Sequence, residues 1–151
     1  MELATRPPAA ATAVAQHAGA AFVVITGGEP LHHDLNALTS AVREASNLPV
    51  HIETSGVDPL TGSPDWITLS PKRHSPPRSD VLATCHELKV VVHEPDDLLF
   101  ADVAASQAPQ ATWLLQPGWQ SDEGRTLAID YIRSHPRWRL SLQSHKWLQV
   151  R

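Results

Sequence analysis

The clearest pattern in the chain is a repeated switch between short apolar runs and longer segments with helical spacing. Apolar runs at 22–26, 50–53, 66–69, 88–92 and 112–116 predict five buried strands. The segments between them are typical of helices and loops. Because strand and helix take turns, the strands are expected to lie parallel and to be joined by right-handed crossovers. The pattern predicts an α/β fold with a mostly parallel sheet.

The helical spacing and the end of the chain complete this prediction. Helices are predicted over 9–17, 34–45, 80–86, 96–105 and 121–134. The second of these places five apolar residues on one stripe: Leu35, Leu38, Ala41, Val42 and Ala45. A last, half-buried strand is predicted over 138–143, where three apolar residues alternate with three polar ones.

Composition narrows the class of protein. A chain of 151 residues with 42% hydrophobic residues suits a single domain over 1–151. The net charge of -4 argues against a nucleic-acid partner, and no apolar run approaches the roughly 20 residues of a membrane span. Cys85 is the single cysteine, so an internal disulfide is excluded and a cytoplasmic location is expected. Cys85 itself is interpreted as a small buried hydrophobe.

The segment 22–31 is predicted to form a central strand followed by a ligand-binding turn. Its apolar run is typical of a parallel strand that is covered on both faces. Gly27 and Gly28 then allow a turn that leaves main-chain groups open to a ligand. Glu29 places a carboxylate at the carboxyl end of the strand, and Pro30 stiffens the turn. Ligands of parallel α/β sheets bind at this end of the strands.

The other strands also end on polar residues, and parallel strands bring their carboxyl ends to one edge of the sheet. The candidate site at that edge comprises Thr26, Gly28, Glu29, Glu53, Thr54, Ser55, Ser70, Lys72, Gln116 and Gln143. Two alternatives remain open. Glu29 could be a solvated loop acid, and the segment 53–55 could be an ordinary helix cap.

Six motifs follow one another in an order that resembles a known family. They are Thr-Gly-Gly-Glu-Pro at 26–30, Glu-Thr-Ser-Gly at 53–56, Trp-Ile-Thr-Leu-Ser-Pro-Lys at 66–72, Glu-Leu-Lys at 87–89, Leu-Gln-Pro at 115–117 and the segment 138–146. The chain resembles the 7-carboxy-7-deazaguanine synthases, which are radical S-adenosylmethionine enzymes of queuosine and deazapurine biosynthesis. The resemblance covers the chain from its first predicted helix to its last residue.

The resemblance implies a partial, open (β/α) barrel of the radical S-adenosylmethionine type. It also implies a lyase that contracts the ring of 6-carboxy-5,6,7,8-tetrahydropterin to 7-carboxy-7-deazaguanine with loss of ammonia. The implied cofactors are S-adenosylmethionine, a 4Fe-4S cluster and Mg2+. The implied partners are the small-molecule pterin and a second copy of the chain in a homodimer.

The resemblance also assigns site residues. The implied cofactor-binding residues are Gly27, Gly28, Glu29, Glu53, Ser55, Ser70, Pro71 and Lys72. Carbonyl and carboxylate oxygens suit the cofactor's ammonium, and the lysine suits its carboxylate. The implied substrate-binding residues are Thr26, Gln116 and the terminal carboxylate of Arg151. No catalytic residue or metal ligand is assigned within the chain.

One departure from the family is large. The family holds its cluster on three cysteines in a loop after the first barrel strand, whereas this sequence has Cys85 alone. The first strand and the cluster loop are therefore expected to be missing. The chain could begin downstream of a natural start, come from a decayed gene, or be completed by a second polypeptide; the first explanation is favoured. A non-catalytic module that binds S-adenosylmethionine or a pterin is the alternative function.

Overall fold

The structure is a computed structural model that describes residues 19–150. One sheet contains all six strands: β1 (Val23–Ile25), β2 (Val50–Thr54), β3 (Trp66–Leu69), β4 (Glu87–Val92), β5 (Thr112–Pro117) and β6 (Trp138–Leu140). The strands lie in sequence order from β1 to β6, and every neighbouring pair is parallel. A doubly wound sheet would reverse its strand order at a switch point. The predicted α/β class, with a sheet wound in one direction and left open, is confirmed.

Helical segments follow every strand except β2, which a loop joins directly to β3. They are a 3-10 turn (Pro30–His32), α1 (Asn36–Ser46), α2 (Ser79–Thr84), α3 (Pro95–Gln107), α4 (Asp122–Ser134) and α5 (Ser144–Leu148). The predicted helices at 34–45, 80–86, 96–105 and 121–134 are confirmed with shifted bounds, whereas the helix predicted over 9–17 lies outside the described residues. Within residues 19–150, no helix combines the length and the apolar character needed to cross a membrane.

The two faces of the sheet differ in chemistry. The face under the helices forms the core, where Leu69, Leu88 and Leu115 are fully buried and Val81 and Ala104 contribute from helices. The opposite side, which we call the open face, alternates with these residues along each strand. Its polar members are His51, Glu53, Thr68, Glu87, Lys89, Thr112, Gln116 and Arg139.

The first strand is less buried than its apolar run suggests. Within the described residues, β1 pairs with β2 alone and is therefore an edge strand. Val24 is 42% exposed, and Phe22 just before the strand is exposed as well. The prediction of a strand covered on both faces is wrong, because the second face of β1 belongs to the open side of the sheet.

The last strand is shorter than predicted. β6 ends at Leu140, and the chain then turns into α5 instead of continuing to Gln143. Trp138 is buried, but Leu140 is exposed and Leu142 is 55% exposed. The predicted half-buried alternation is therefore wrong beyond Trp138, since within residues 19–150 this strand pairs with β5 alone.

Helix α1 buries polar side chains in place of two predicted apolar ones. Leu38 and Ala45 are exposed, whereas Thr39 and Ser46 are buried. The Thr39 hydroxyl donates to the Leu35 carbonyl at 2.9 Å, and the Ser46 hydroxyl donates to the Val42 carbonyl at 2.7 Å. These local bonds satisfy the hydroxyls, so the stripe can include them without an unpaired buried group.

Candidate functional site at the carboxyl rim of the sheet

A polar cleft of about 340 Å3 opens at the carboxyl ends of β1, β2 and β3. We call it the rim cleft. Its lining is Thr26, Gly28, Glu29, Glu53, Thr54, Ser55, Ser70 and Lys72. The glycine-glutamate corner and the serine-proline-lysine corner, which are 41 or more positions apart in sequence, thus share one cavity because the strands that carry them are parallel. The ligand roles of these residues stay predictions.

The glycine corner depends on glycine backbone conformations. Gly27 and Gly28 have φ angles of 93° and 55°, in the region that disfavours side chains. Open space surrounds both Cα atoms, since a Cβ there would meet nothing within 4 Å. The turn is therefore accessible to a ligand, although Gly27 is not among the residues that line the rim cleft.

Glu29 is held by donors from its own turn and from the end of β2. Its Oε2 accepts from the Ser55 amide at 2.7 Å and from the Ser55 hydroxyl. Its Oε1 accepts from the Leu31 amide at 3.1 Å and from the Thr54 hydroxyl. The four donors match the roughly four acceptor positions of a carboxylate. Glu29 thus joins the glycine turn to the end of β2 through its hydrogen bonds. Any contact with a ligand would be additional to this structural role.

The electrostatics of Glu29 follow from these bonds. Partial burial raises the pKa of Glu29, but the hydrogen bonds from Ser55, Thr54 and Leu31 outweigh it and leave the pKa below its ordinary value. Thr54 extends this hydrogen-bond network to Gly56, because its hydroxyl oxygen accepts from the Gly56 amide at 2.9 Å. The site therefore contains a fixed negative charge at neutral pH.

The opposite wall of the rim cleft is cationic. Lys72 donates to the Ser70 hydroxyl at 3.3 Å, a long hydrogen bond. Burial of the ammonium lowers the pKa of Lys72, Lys89 nearby lowers it further, and Glu29 partly opposes both effects. An anionic ligand group would meet an ammonium that has one weak protein partner. Pro71 is buried and lines a neighbouring cavity of about 410 Å3.

Two residues of the candidate site lie outside the rim cleft, and one predicted substrate-binding residue is not described. Gln116 is buried on β5 and does not line the rim cleft. Gln143 lines a separate cavity of about 300 Å3, together with Trp119 and Leu142. Arg151 lies outside the described residues. The predicted edge is therefore divided, within residues 19–150, into a cleft over β1–β3 and a second cavity beyond β5.

Lys89 is not among the predicted site residues, although it ends the Glu-Leu-Lys motif at 87–89. It lies on the open face, and its Nζ is 3.6 Å from Oε2 of Glu53. A second signal in the sequence is the alternation of 87–92, where a single lysine falls on the side opposite the apolar core positions.

Comparison with known proteins places this chain in a family. No protein-family model matches the chain. A 7-carboxy-7-deazaguanine synthase from Prochlorococcus marinus is 50% identical over 91% of this chain and 72% of its own length. The chain belongs to the 7-carboxy-7-deazaguanine synthase family. A family member from Flavobacterium psychrophilum is 40% identical over 97% of this chain and 71% of its own length.

Structural comparison agrees with the family membership. The crystal structure of QueE from Escherichia coli matches with a TM-score of 0.72 and 34% identity, over 87% of this chain and 61% of that protein. The 7-carboxy-7-deazaguanine synthase from a Synechocystis strain is 45% identical over 86% of this chain and 62% of its own length. The partial (β/α) barrel implied by the sequence motifs is confirmed, and the chain spans between about three fifths and three quarters of these 7-carboxy-7-deazaguanine synthases.

Proposed function

We propose that this chain provides the cofactor- and substrate-binding part of a 7-carboxy-7-deazaguanine synthase, the enzyme that contracts 6-carboxy-5,6,7,8-tetrahydropterin with loss of ammonia. The observation that carries the proposal is the rim cleft, in which the glycine-glutamate and serine-proline-lysine corners meet. Its position at the carboxyl ends of parallel strands is where enzymes with (β/α) barrels bind their ligands.

The chemistry of the rim cleft suits S-adenosylmethionine. This cofactor presents an ammonium, a carboxylate and two ribose hydroxyls. Lys72 offers a cation for the carboxylate, and Glu53, whose side chain is 48% exposed, offers free acceptor positions for an ammonium or for hydroxyls. Glu29 supports binding through the glycine turn that it holds in place.

We expect S-adenosylhomocysteine, which keeps the amino-acid and ribose groups, to bind the 151-residue chain in calorimetric titration. Replacing Lys72 with methionine should lower that affinity about tenfold, because a charge-assisted hydrogen bond to the ligand carboxylate is lost. Lys146→Met is the matched control, since Lys146 lies over the Trp119 ring beyond the rim cleft. Equal affinities of the two variants would contradict the role of Lys72, and absence of binding to the wild type would contradict the proposed function.

The cluster of the family does not fit the residues present. A 4Fe-4S cluster of this class needs three cysteine thiolates, and the sequence contains Cys85 alone. Within residues 19–150, no three histidine, cysteine or acidic residues are grouped to hold a metal ion. Cys85 is 1% exposed, and burial raises its pKa to about 11. We therefore assign no reaction step through a cluster to the residues of this chain.

Cys85 is expected to be inert in the folded protein. The thiolate is the reactive form, and both its burial and its raised pKa suppress it. Labelling with a thiol reagent at pH 8 should be slow in buffer and fast in guanidinium chloride. Anaerobic treatment with iron and sulfide should give no 4Fe-4S absorbance. Rapid native labelling or a stable cluster on this chain would contradict the assignment.

The single cysteine favours one alternative, a module that binds S-adenosylmethionine or a pterin without catalysis. The same iron and sulfide treatment separates the two functions when it is applied to a longer chain that includes the family's cluster loop and is followed by reduction in the presence of S-adenosylmethionine. Formation of 5'-deoxyadenosine by that longer chain would exclude the non-catalytic module. Binding of S-adenosylmethionine by the longer chain without a cluster or that product would support the module.

The proposal includes a homodimer in the cytoplasm, with no nucleic acid or membrane as partner. An exposed sheet edge favours pairing with another surface. Near the β6 edge several large apolar side chains are exposed: Leu140, Leu142, Leu148 and Val150. The exposed edge and these apolar side chains are compatible with a second copy of the chain that covers the β6 edge.

A further inference from the structure

Lys89 is a nearly enclosed cation on the open face that has no role in the function described so far. Its neighbours Leu88 and Val90 point into the core under the helices, so strand alternation directs Lys89 to the other side. Its side chain is only 17% exposed. A lysine this enclosed normally has a close partner, because desolvation of an unpaired ammonium costs several kcal/mol.

Glu53, the partner of Lys89, makes only a weak ion pair with it. The Lys89 ammonium reaches across β3 to Glu53 on β2, but the distance of 3.6 Å exceeds a hydrogen bond. Water competes for Glu53, whose side chain is about half exposed. An incoming carboxylate with better geometry could replace Glu53 at small cost.

The surroundings of Lys89 are suited to an anionic, flat ligand. In the sheet register, Lys89 lies beside Leu114, and Leu114 lies beside Arg139. The next position of this face on β4 is Val91, which lies beside Gln116. A cation, an apolar side chain and a second cation therefore lie side by side across β4, β5 and β6, and the Gln116 amide lies on β5 in the adjacent row.

Lys89 also connects this strip to the rim cleft. Its contact Glu53 lines that cleft, and the charge of Lys89 lowers the pKa of Lys72, after the larger effect of burial on Lys72. The two ammonium groups thus repel each other across the same space. A ligand carboxylate placed beside Lys89 would reduce this repulsion. Glu87, the other carboxylate of β4 on this face, already accepts a hydrogen bond from the Thr68 hydroxyl at 2.9 Å.

We propose that Lys89 is a specificity residue whose ammonium leaves Glu53 and binds the carboxylate of a flat heterocycle that lies on the open face between the rim cleft and Gln116. This inference rests on the proposed function, since the ligand it selects is a carboxylated pterin. It identifies the residue that distinguishes the acid from a pterin without the carboxylate. The competing explanation is an ion pair that serves only to neutralise Glu53.

The test is a fluorescence titration of the full 151-residue chain with pterin-6-carboxylate and with unsubstituted pterin. The wild type should prefer the carboxylate. Lys89→Met keeps the apolar stem and removes the charge, so it should weaken binding of pterin-6-carboxylate about 10- to 100-fold and leave pterin binding unchanged. Lys89→Arg should retain most of the preference. Arg133→Met, at an exposed position of α4, controls for the loss of one positive charge.

Glu53→Gln is expected to change the affinity for pterin-6-carboxylate in the opposite direction to Lys89→Met. If Glu53 competes with the ligand for Lys89, its removal should tighten binding of pterin-6-carboxylate, whereas a neutralising ion pair predicts no change or weaker binding. Thermal melting of each variant reports folding separately. Binding of both pterins with unchanged preference in Lys89→Met would overturn the role of Lys89 and leave the proposed function standing. Failure of both pterins to bind the wild type would overturn both.

Discussion

Replacing Glu29 with glutamine is expected to lower the free energy of unfolding by about 2–4 kcal/mol. The carboxylate accepts four hydrogen bonds, from Leu31, Thr54 and twice from Ser55. A glutamine amide has one oxygen, and its nitrogen would face two donors in place of an acceptor. The Ser55 amide would lose its charged partner at the point where β2 enters the rim cleft. Urea denaturation of the two proteins measures the difference.

The pH dependence of this loss has a definite sign. Hydrogen bonding outweighs burial and holds the folded-state pKa of Glu29 below its ordinary value of 4.5. The carboxylate therefore stabilises the fold fully above its unfolded pKa, and this contribution is lost as the pH falls through the lowered folded pKa. The difference between wild type and Glu29→Gln should be constant from neutral pH to about pH 5 and shrink below it.

A surface carboxylate provides the control for this experiment. Glu44 is exposed on α1 and should tolerate glutamine within about 0.5 kcal/mol. Equal stability of Glu29→Gln and Glu44→Gln would show that the network at the glycine turn contributes nothing to the fold.

Local patterns predicted the architecture because a parallel α/β fold repeats one simple rule. Apolar runs predicted β2 to β5 nearly to the residue, and the alternation with helices predicted their parallel order. The same rule places the polar residue after each strand at one edge, which is why the two corners of the rim cleft could be associated from sequence. Burial at the two ends of the sheet was predicted poorly, since Val24 and Leu142 are apolar but exposed.

The polar contacts of the site could not be predicted in this way. Glu29 could have been a solvated acid, and its bonds to Ser55 depend on how closely the glycine turn approaches β2. The contact between Lys89 and Glu53 joins strands that are not neighbours and depends on the length of a lysine side chain. Sequence spacing identifies which residues share an edge, whereas the pairing among them is a property of the folded geometry.

Among the described glycines, Gly124 has the closest approach of backbone to the position that a Cβ would occupy, and Gly124→Ala is therefore expected to give the second large effect. Gly124 lies in the first turn of α4, and a Cβ there would stand 2.0 Å from the Val92 carbonyl oxygen and 2.9 Å from the Ser121 hydroxyl. Neither group can withdraw, because Val92 O accepts from the Gly118 amide and the Ser121 hydroxyl caps the helix. Helix α4 must therefore shift away from β4, at a cost of about 3 kcal/mol or more.

Gly118→Ala is the matched control for that substitution. Its Cβ would come as close as 2.1 Å to the ring of His93, but this ring is the end of an exposed side chain that can rotate away. We therefore expect a loss within about 1 kcal/mol for Gly118→Ala, against about 3 kcal/mol for Gly124→Ala, in the same urea experiment. Because neither glycine lines the rim cleft, S-adenosylhomocysteine affinity should be retained in both variants under conditions where they are folded. Equal losses in the two variants would show that backbone contact with Val92 does not fix α4, and a selective loss of affinity in Gly124→Ala would show that the position of α4 controls the cleft.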